Sequence, residues 1–160
     1  MTSASCFFLI VAFCASFSFI QCQNYNKFKD KHIVEDQAQI NCNITIKDRQ
    51  INKDSCRFRN TFIHDTNGRK IRELCSPYVR STLVPSDSAL ALTDCKLLKS
   101  RSSSPSSGCS YNQTEVKGVV YVTCENQLPV HFERFELSFA VHCTPCLWTL
   151  SLFILFRYLF

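Results

Sequence analysis

Cysteine most limits what this chain can become: eleven occur among 160 residues. That density points to an oxidising compartment and a disulfide framework, because a small domain gains most from covalent staples and a reducing cytosol would not keep them. Cys6, Cys14 and Cys22 fall in residues 1–22, which contain no Asp, Glu, Lys or Arg. The apolar run Cys6 to Ile20 has the length of a signal-peptide core, so residues 1–22 are expected to be removed on export, with the cut before Gln23. No basic leader or Ala-x-Ala site marks that cut. Eight cysteines then remain: Cys42, Cys56, Cys75, Cys95, Cys109, Cys124, Cys143 and Cys146. Sequence alone selects no pairing among them. Cys-x-x-Cys ligand pairs are absent from residues 23–133, which argues against a zinc site, and no cofactor is expected.

Charge restricts the partners. The chain has 18 Lys and Arg against 13 Asp and Glu, net +5, all carried after residue 22. Such a surface suits an anionic partner: RNA, or the anionic molecules of a cell or bacterial surface. Two sequons, Asn43-Ile44-Thr45 and Asn112-Gln113-Thr114, suit glycosylation on the secretory route. Length allows one domain, expected over 23–136. Residues 137–160 form an apolar tail holding Cys143-Thr-Pro-Cys146 and interrupted by Arg157. It is short and charged for a membrane span, so attachment through it is not expected. A removed lipid-anchor signal and a C-terminus foreign to the domain are its other readings, the latter preferred.

Periodicity outlines the elements. Tyr25 to Val34 reads as a helix that puts Phe28 and His32 on one side. Asn43 reads as the N-cap of a second helix through Gln50, weakened by the β-branched Ile44, Thr45 and Ile46. Asp65 to Gly68 is a turn, and Arg69 to Leu74 a short basic helix stopped by Pro77. Strands are expected at Thr61 to Ile63, Leu83-Val84, Ala89 to Leu92, Val116 to Cys124 and Leu128 to Phe135, with a Ser-rich loop over Ser100 to Gly108.

Three stretches bring histidine next to cysteine or to cations. The richest is Cys56-Arg57-Phe58-Arg59-Asn60-Thr61-Phe62-Ile63-His64; by itself it reads as an edge strand whose Arg57 and Arg59 share a solvated basic face. The others are Cys124-Glu125-Asn126-Gln127-Leu128-Pro129-Val130-His131-Phe132-Glu133 and Phe28-Lys29-Asp30-Lys31-His32-Ile33. Together and in this order they resemble the pancreatic-type (ribonuclease A) superfamily, with its Lys-His-Ile helix, its Cys-Lys-x-x-Asn-Thr-Phe segment and its Pro-Val-His-Phe strand. The resemblance covers Gln23 to Glu133, and the Gln23-Asn24-Tyr25 start is similar to the amphibian branch. One departure stands at the centre: Arg57 occupies the place of the family's lysine.

The resemblance implies an α+β fold: a twisted, V-shaped antiparallel sheet with three short helices and the disulfides Cys42–Cys95, Cys56–Cys109 and Cys75–Cys124. A fourth bridge of the amphibian branch would need a cysteine where this chain has Tyr121. The implied activity is secreted, metal-free, monomeric endonucleolytic cleavage of single-stranded RNA 3′ to pyrimidines, through a 2′,3′-cyclic phosphate. RNA supplies its own nucleophile, so the chemistry needs a base, an acid and a cation; two histidines near neutral pH suit the first two roles. His32 is then the base, His131 the acid and Arg57 the transition-state cation. Thr61 would read the pyrimidine edge and Phe132 would pack on the base. Lys31 would hold phosphate, Gln23 (as pyroglutamate) would hydrogen-bond near Lys31, and Glu125 would contact a downstream purine. His64 and His142 keep ordinary structural roles. A function of another class is compatible with the same charge: a cationic secreted binding protein, angiogenin-like or antimicrobial, with little catalysis.

Overall fold

The computed structural model describes residues 24–53, 55–100 and 108–138. Helix α1 covers 24–32, followed by strand β1 (Ile33–Val34) and helix α2 (Cys42–Asp48). Strand β2 (Arg59–His64) leads through a 3-10 turn (Thr66–Gly68) into helix α3 (Arg69–Cys75). Strands β3 (Thr82–Pro85), β4 (Leu90–Ser100), β5 (Cys109–Glu125) and β6 (Leu128–Leu137) complete a single curled sheet.

β5 is the spine. Its first half pairs antiparallel with β4, and its second half pairs with β3 and β6. Gly118 stands where these pairings meet, and a Cβ there would lie 2.5 Å from the Glu136 carbonyl oxygen, so only glycine admits β6 this closely.

Four expectations are corrected. The first helix ends at His32, because the β-branched Ile33 and Val34 are buried as a parallel pair against Ile63 and His64. This one parallel pair joins an otherwise antiparallel sheet, in the expected α+β fold with three helices and three disulfides. β2 is not an edge strand: it lies between β1 and β4. The α2 cap is Asn41, whose Oδ1 accepts from the backbone N–H of Asn43 and Ile44; Asn43 Oδ1 accepts instead from the Tyr111 N–H at 2.8 Å. β4 and β5 also run well beyond their expected lengths, zipped together from Leu90↔Gly118 to Ser100↔Cys109. Most of the expected Ser-rich loop, at 101–107, lies outside the described residues.

From Asn60 to His64 β2 is buried on both faces, so consecutive residues enter different cores. Ile63 joins a core with Phe28, Ile33, Ile71, Leu92 and Val122, while its neighbour Phe62 joins a second core with Val34, Ile46, Ile51 and Tyr111. The disulfides tie these layers together. Cys42–Cys95 links α2 to β4, Cys75–Cys124 links α3 to β5, and Cys56–Cys109 anchors the segment before β2 to the start of β5. Tyr121 is covered by the Arg134 guanidinium, 4.0 Å from its ring centroid.

Candidate active site

The end of α1, the start of β2 and the middle of β6 enclose a cleft of about 300 Å³. Its walls include Lys31, His32, Arg57, Thr61, His131 and Phe132, so six of the sequence-derived candidates converge although they come from three separate stretches. Glu125 does not join them: it is exposed at the end of β5, opposite Leu128. Gln23 and His142 lie outside the described residues.

His32 is buried between Phe28, at 5.5 Å between centroids, and Phe132, stacked at 5.1 Å. Its Nδ1 lies 2.9 Å from the Thr61 carbonyl oxygen. A carbonyl can only accept, so Nδ1 carries the hydrogen and the neutral ring keeps a lone pair on Nε2. Burial pushes the imidazole pKa down to about 4; the Thr61 bond opposes that shift, and the charges of Arg57, Lys31 and His131 reinforce it. A neutral ring is the form able to take a proton.

His131 is exposed on β6, opposite Thr123. The β5–β6 register slips on each side of the His131–Phe132 pair. Such bulges re-aim side chains, which accounts for two consecutive strand residues both lining the cleft. Glu133 Oε2 sits 3.8 Å from His131 Nε2, and its other oxygen accepts from Thr123 Oγ1 at 2.8 Å.

Arg57 belongs to no strand. Asn52 Oδ1 accepts from its N–H at 3.1 Å, the Tyr111 hydroxyl donates to its carbonyl at 2.9 Å, and the neighbouring Cys56 is bridged to Cys109. Its guanidinium lines the cleft with no ion pair among the described residues. Lys31 lies nearby; partial burial, then the charges of Arg57, Lys27 and Lys53, lowers its pKa.

Arg59 is not the free cation expected beside Arg57. It grips Asp94 with two bonds, Nε to Oδ1 at 2.6 Å and Nη2 to Oδ2 at 2.8 Å, and lies over the Phe135 ring at 4.7 Å. The same Asp94 Oδ1 accepts from the Thr61 hydroxyl at 3.2 Å. Asp94, Phe135 and Asn60 are site residues that sequence reasoning missed. Asn60 donates through Nδ2 to the Lys31 carbonyl at 3.0 Å, and its buried Oδ1 has no hydrogen-bond partner among the described residues. Asp94 could have been suspected only as a charge in an apolar strand pattern; its partner lies 35 residues away. His64, given an ordinary role, is buried against Thr93 and the Glu35 carbonyl, away from the cleft.

Residues 23–133 match the family described as pancreatic ribonuclease. The pancreatic ribonuclease of Iguana iguana is 32% identical over 119 residues, spanning 69% of this chain and 97% of the relative. Amphinase-1 of Lithobates pipiens is 34% identical over 114 residues, spanning 70% and 92%. The solved structure of amphinase, a cytotoxic ribonuclease from Rana pipiens oocytes, superposes with a TM-score of 0.59 at 31% identity, over 72% of this chain and 99% of that one.

Proposed function

The chain belongs to the pancreatic ribonuclease family and is a ribonuclease whose substrate is RNA; on that premise we propose that it cuts single-stranded RNA 3′ to pyrimidines by transphosphorylation. His32 Nε2 takes the proton of the ribose 2′-hydroxyl. That oxygen attacks the adjacent phosphorus and His131 protonates the departing 5′-oxygen, leaving a 2′,3′-cyclic phosphate. Arg57 faces the charge that grows on the phosphorane oxygens, and Lys31 adds to the field around the phosphate. Thr61 meets the pyrimidine edge through its N–H and hydroxyl while Phe132 packs on the ring. Glu133 orients His131. We further propose that the enzyme is secreted after loss of residues 1–22 and acts as a monomer. Asn43 and Asn112, both exposed, are its proposed glycan acceptors.

The observation that carries this reading is the Nδ1-to-Thr61 bond, which leaves the Nε2 lone pair of His32 available in a cleft shared with a second histidine and the Arg57 cation. The test is cleavage of a pyrimidine–purine dinucleotide by the parent, His32→Ala and His131→Ala. Each variant should lose nearly all activity, and the parent should show a bell-shaped pH dependence of kcat/KM. Undiminished cleavage by either variant, with contaminating nuclease excluded, would refute the assignment.

A further inference from the structure

Asn60, near the start of β2, is 2% exposed and stands in the wall of the cleft. Its amide has one workable orientation. The atom 3.0 Å from the Lys31 carbonyl has to be Nδ2, because a carbonyl can only accept, and Oδ1 then points the other way. The bond also serves α1, since Lys31 lies in its last turn, where carbonyls have no partner within the helix. Oδ1 is left as the one buried side-chain oxygen or nitrogen without a hydrogen-bond partner among the described residues. Such an acceptor has given up water on folding and regains nothing until a donor reaches it.

The walls of the cleft limit which donor that is. Arg59 is ruled out: strand alternation sends it to the other face of β2, and Asp94 holds its Nε and Nη2. Lys31 is ruled out by direction. A helical side chain leans toward the N-terminus, whereas the carbonyl that Asn60 holds points toward the C-terminus. Lys27 and Asn24 lie farther back still along α1. His131 is exposed on β6 beside Glu133. Arg57 remains. It precedes Asn60 by three residues, and its backbone is fixed by Asn52, Tyr111 and the bridge at Cys56. Its side chain lines the same cleft and makes no ion pair among the described residues.

We propose that Asn60 is a positioning residue for Arg57: one guanidinium N–H docks on Asn60 Oδ1, and the others face the phosphate between His32 and His131. No bond joins the two groups in the structure, and a rotation of the long Arg57 side chain makes one. A guanidinium carries several N–H groups in a planar fork, so it can give one to an amide and keep the rest for an oxyanion. Once docked, the side chain has less rotamer freedom to lose as charge grows on the phosphorane, so the contact acts on kcat rather than on KM. The two ends of one amide then tie the cation to the end of α1 that carries His32. This role rests on the reading of Arg57 as the transition-state cation.

The experiment is a double-mutant cycle on a pyrimidine–purine dinucleotide: parent, Asn60→Ala, Arg57→Ala and both together, with kcat and KM read separately. Asn60→Ala should lower kcat about tenfold or more and leave KM within about twofold. In the Arg57→Ala background the same change should cost less than about twofold. An equal loss in both backgrounds overturns the proposal, because Asn60 would then act through the Lys31 carbonyl alone, which needs no Arg57. The contact is also read directly, by NMR of the 15N-labelled arginine side chains of the parent, the Arg57 signals being assigned by their absence from Arg57→Ala. The Arg57 guanidinium N–H should exchange with water more slowly than in the urea-unfolded chain. Exchange as fast as in the unfolded chain overturns the contact, whether or not Asn60→Ala folds. If Arg57→Ala cleaves as fast as the parent, the reading of Arg57 fails, and the N–H exchange still decides whether Asn60 holds it.

Discussion

Folding should depend on pH through His32. The ring is 8% exposed, enclosed by Phe28 and Phe132, and its pKa falls from an ordinary 6.5 to about 4. In the unfolded chain it reverts to the ordinary value. Between pH 6.5 and 4 the unfolded state therefore holds a proton that the folded state lacks, and stability falls as pH falls. The contribution is complete above about pH 6.5 and is lost by about pH 4. A gap of that size, at about 1.36 kcal/mol per pH unit, amounts to about 3 kcal/mol, a large part of the stability of a small domain. The comparison is the parent against His32→Gln, which cannot titrate, by urea unfolding at pH 7 and pH 4 in phosphate-free buffer. Other titrating groups affect both proteins alike, so the parent should lose about 3 kcal/mol more than the variant. Parallel losses would show that the folded ring accepts a proton freely, and the argument from burial would fall. The same lowered pKa keeps the proposed base neutral in acid, so the acid limb of kcat/KM should lie near pH 4 rather than near 6.5.

Three other perturbations test separate parts of the structure. Arg57→Lys should raise kcat on a short pyrimidine–purine substrate, because a compact ammonium follows a phosphorane oxygen more closely than a planar guanidinium; Arg57→Ala should lower it by about 10²–10³-fold at most. A lysine variant no faster than the parent and equally folded would show a site adapted to arginine. Gly118→Ala should cost about 1–3 kcal/mol in urea unfolding, since its Cβ would meet the Glu136 carbonyl oxygen at 2.5 Å and β6 would have to move. Replacing Cys75 and Cys124 together with Ser opens a loop of 49 residues and should lower stability by about 4 kcal/mol; an unchanged urea midpoint would count against that bridge as a staple.

What the sequence determined by itself was local chemistry and its order along the chain. Cysteine density called for a stapled domain, Pro77 and the turn at Asp65 to Gly68 bounded α3 correctly, and the three histidine-bearing stretches pointed to one family. Residues of like pattern but different fate could not be separated in that way. Arg57 and Arg59 read as twin cations, yet one lines the cleft and makes no ion pair among the described residues, while the other is neutralised by Asp94 and covered by Phe135. Ile33 and Val34 continue a helical pattern, yet they pair with β2. Asn43 reads as the cap of α2, yet Asn41 holds that place and Asn43 accepts from the Tyr111 N–H, 68 residues away. His32 looks like any histidine until Phe132, from the far end of the domain, closes over it and lowers its pKa. In each case the deciding partner is distant in sequence. Strand register and burial choose that partner, and both exist only once the sheet has closed.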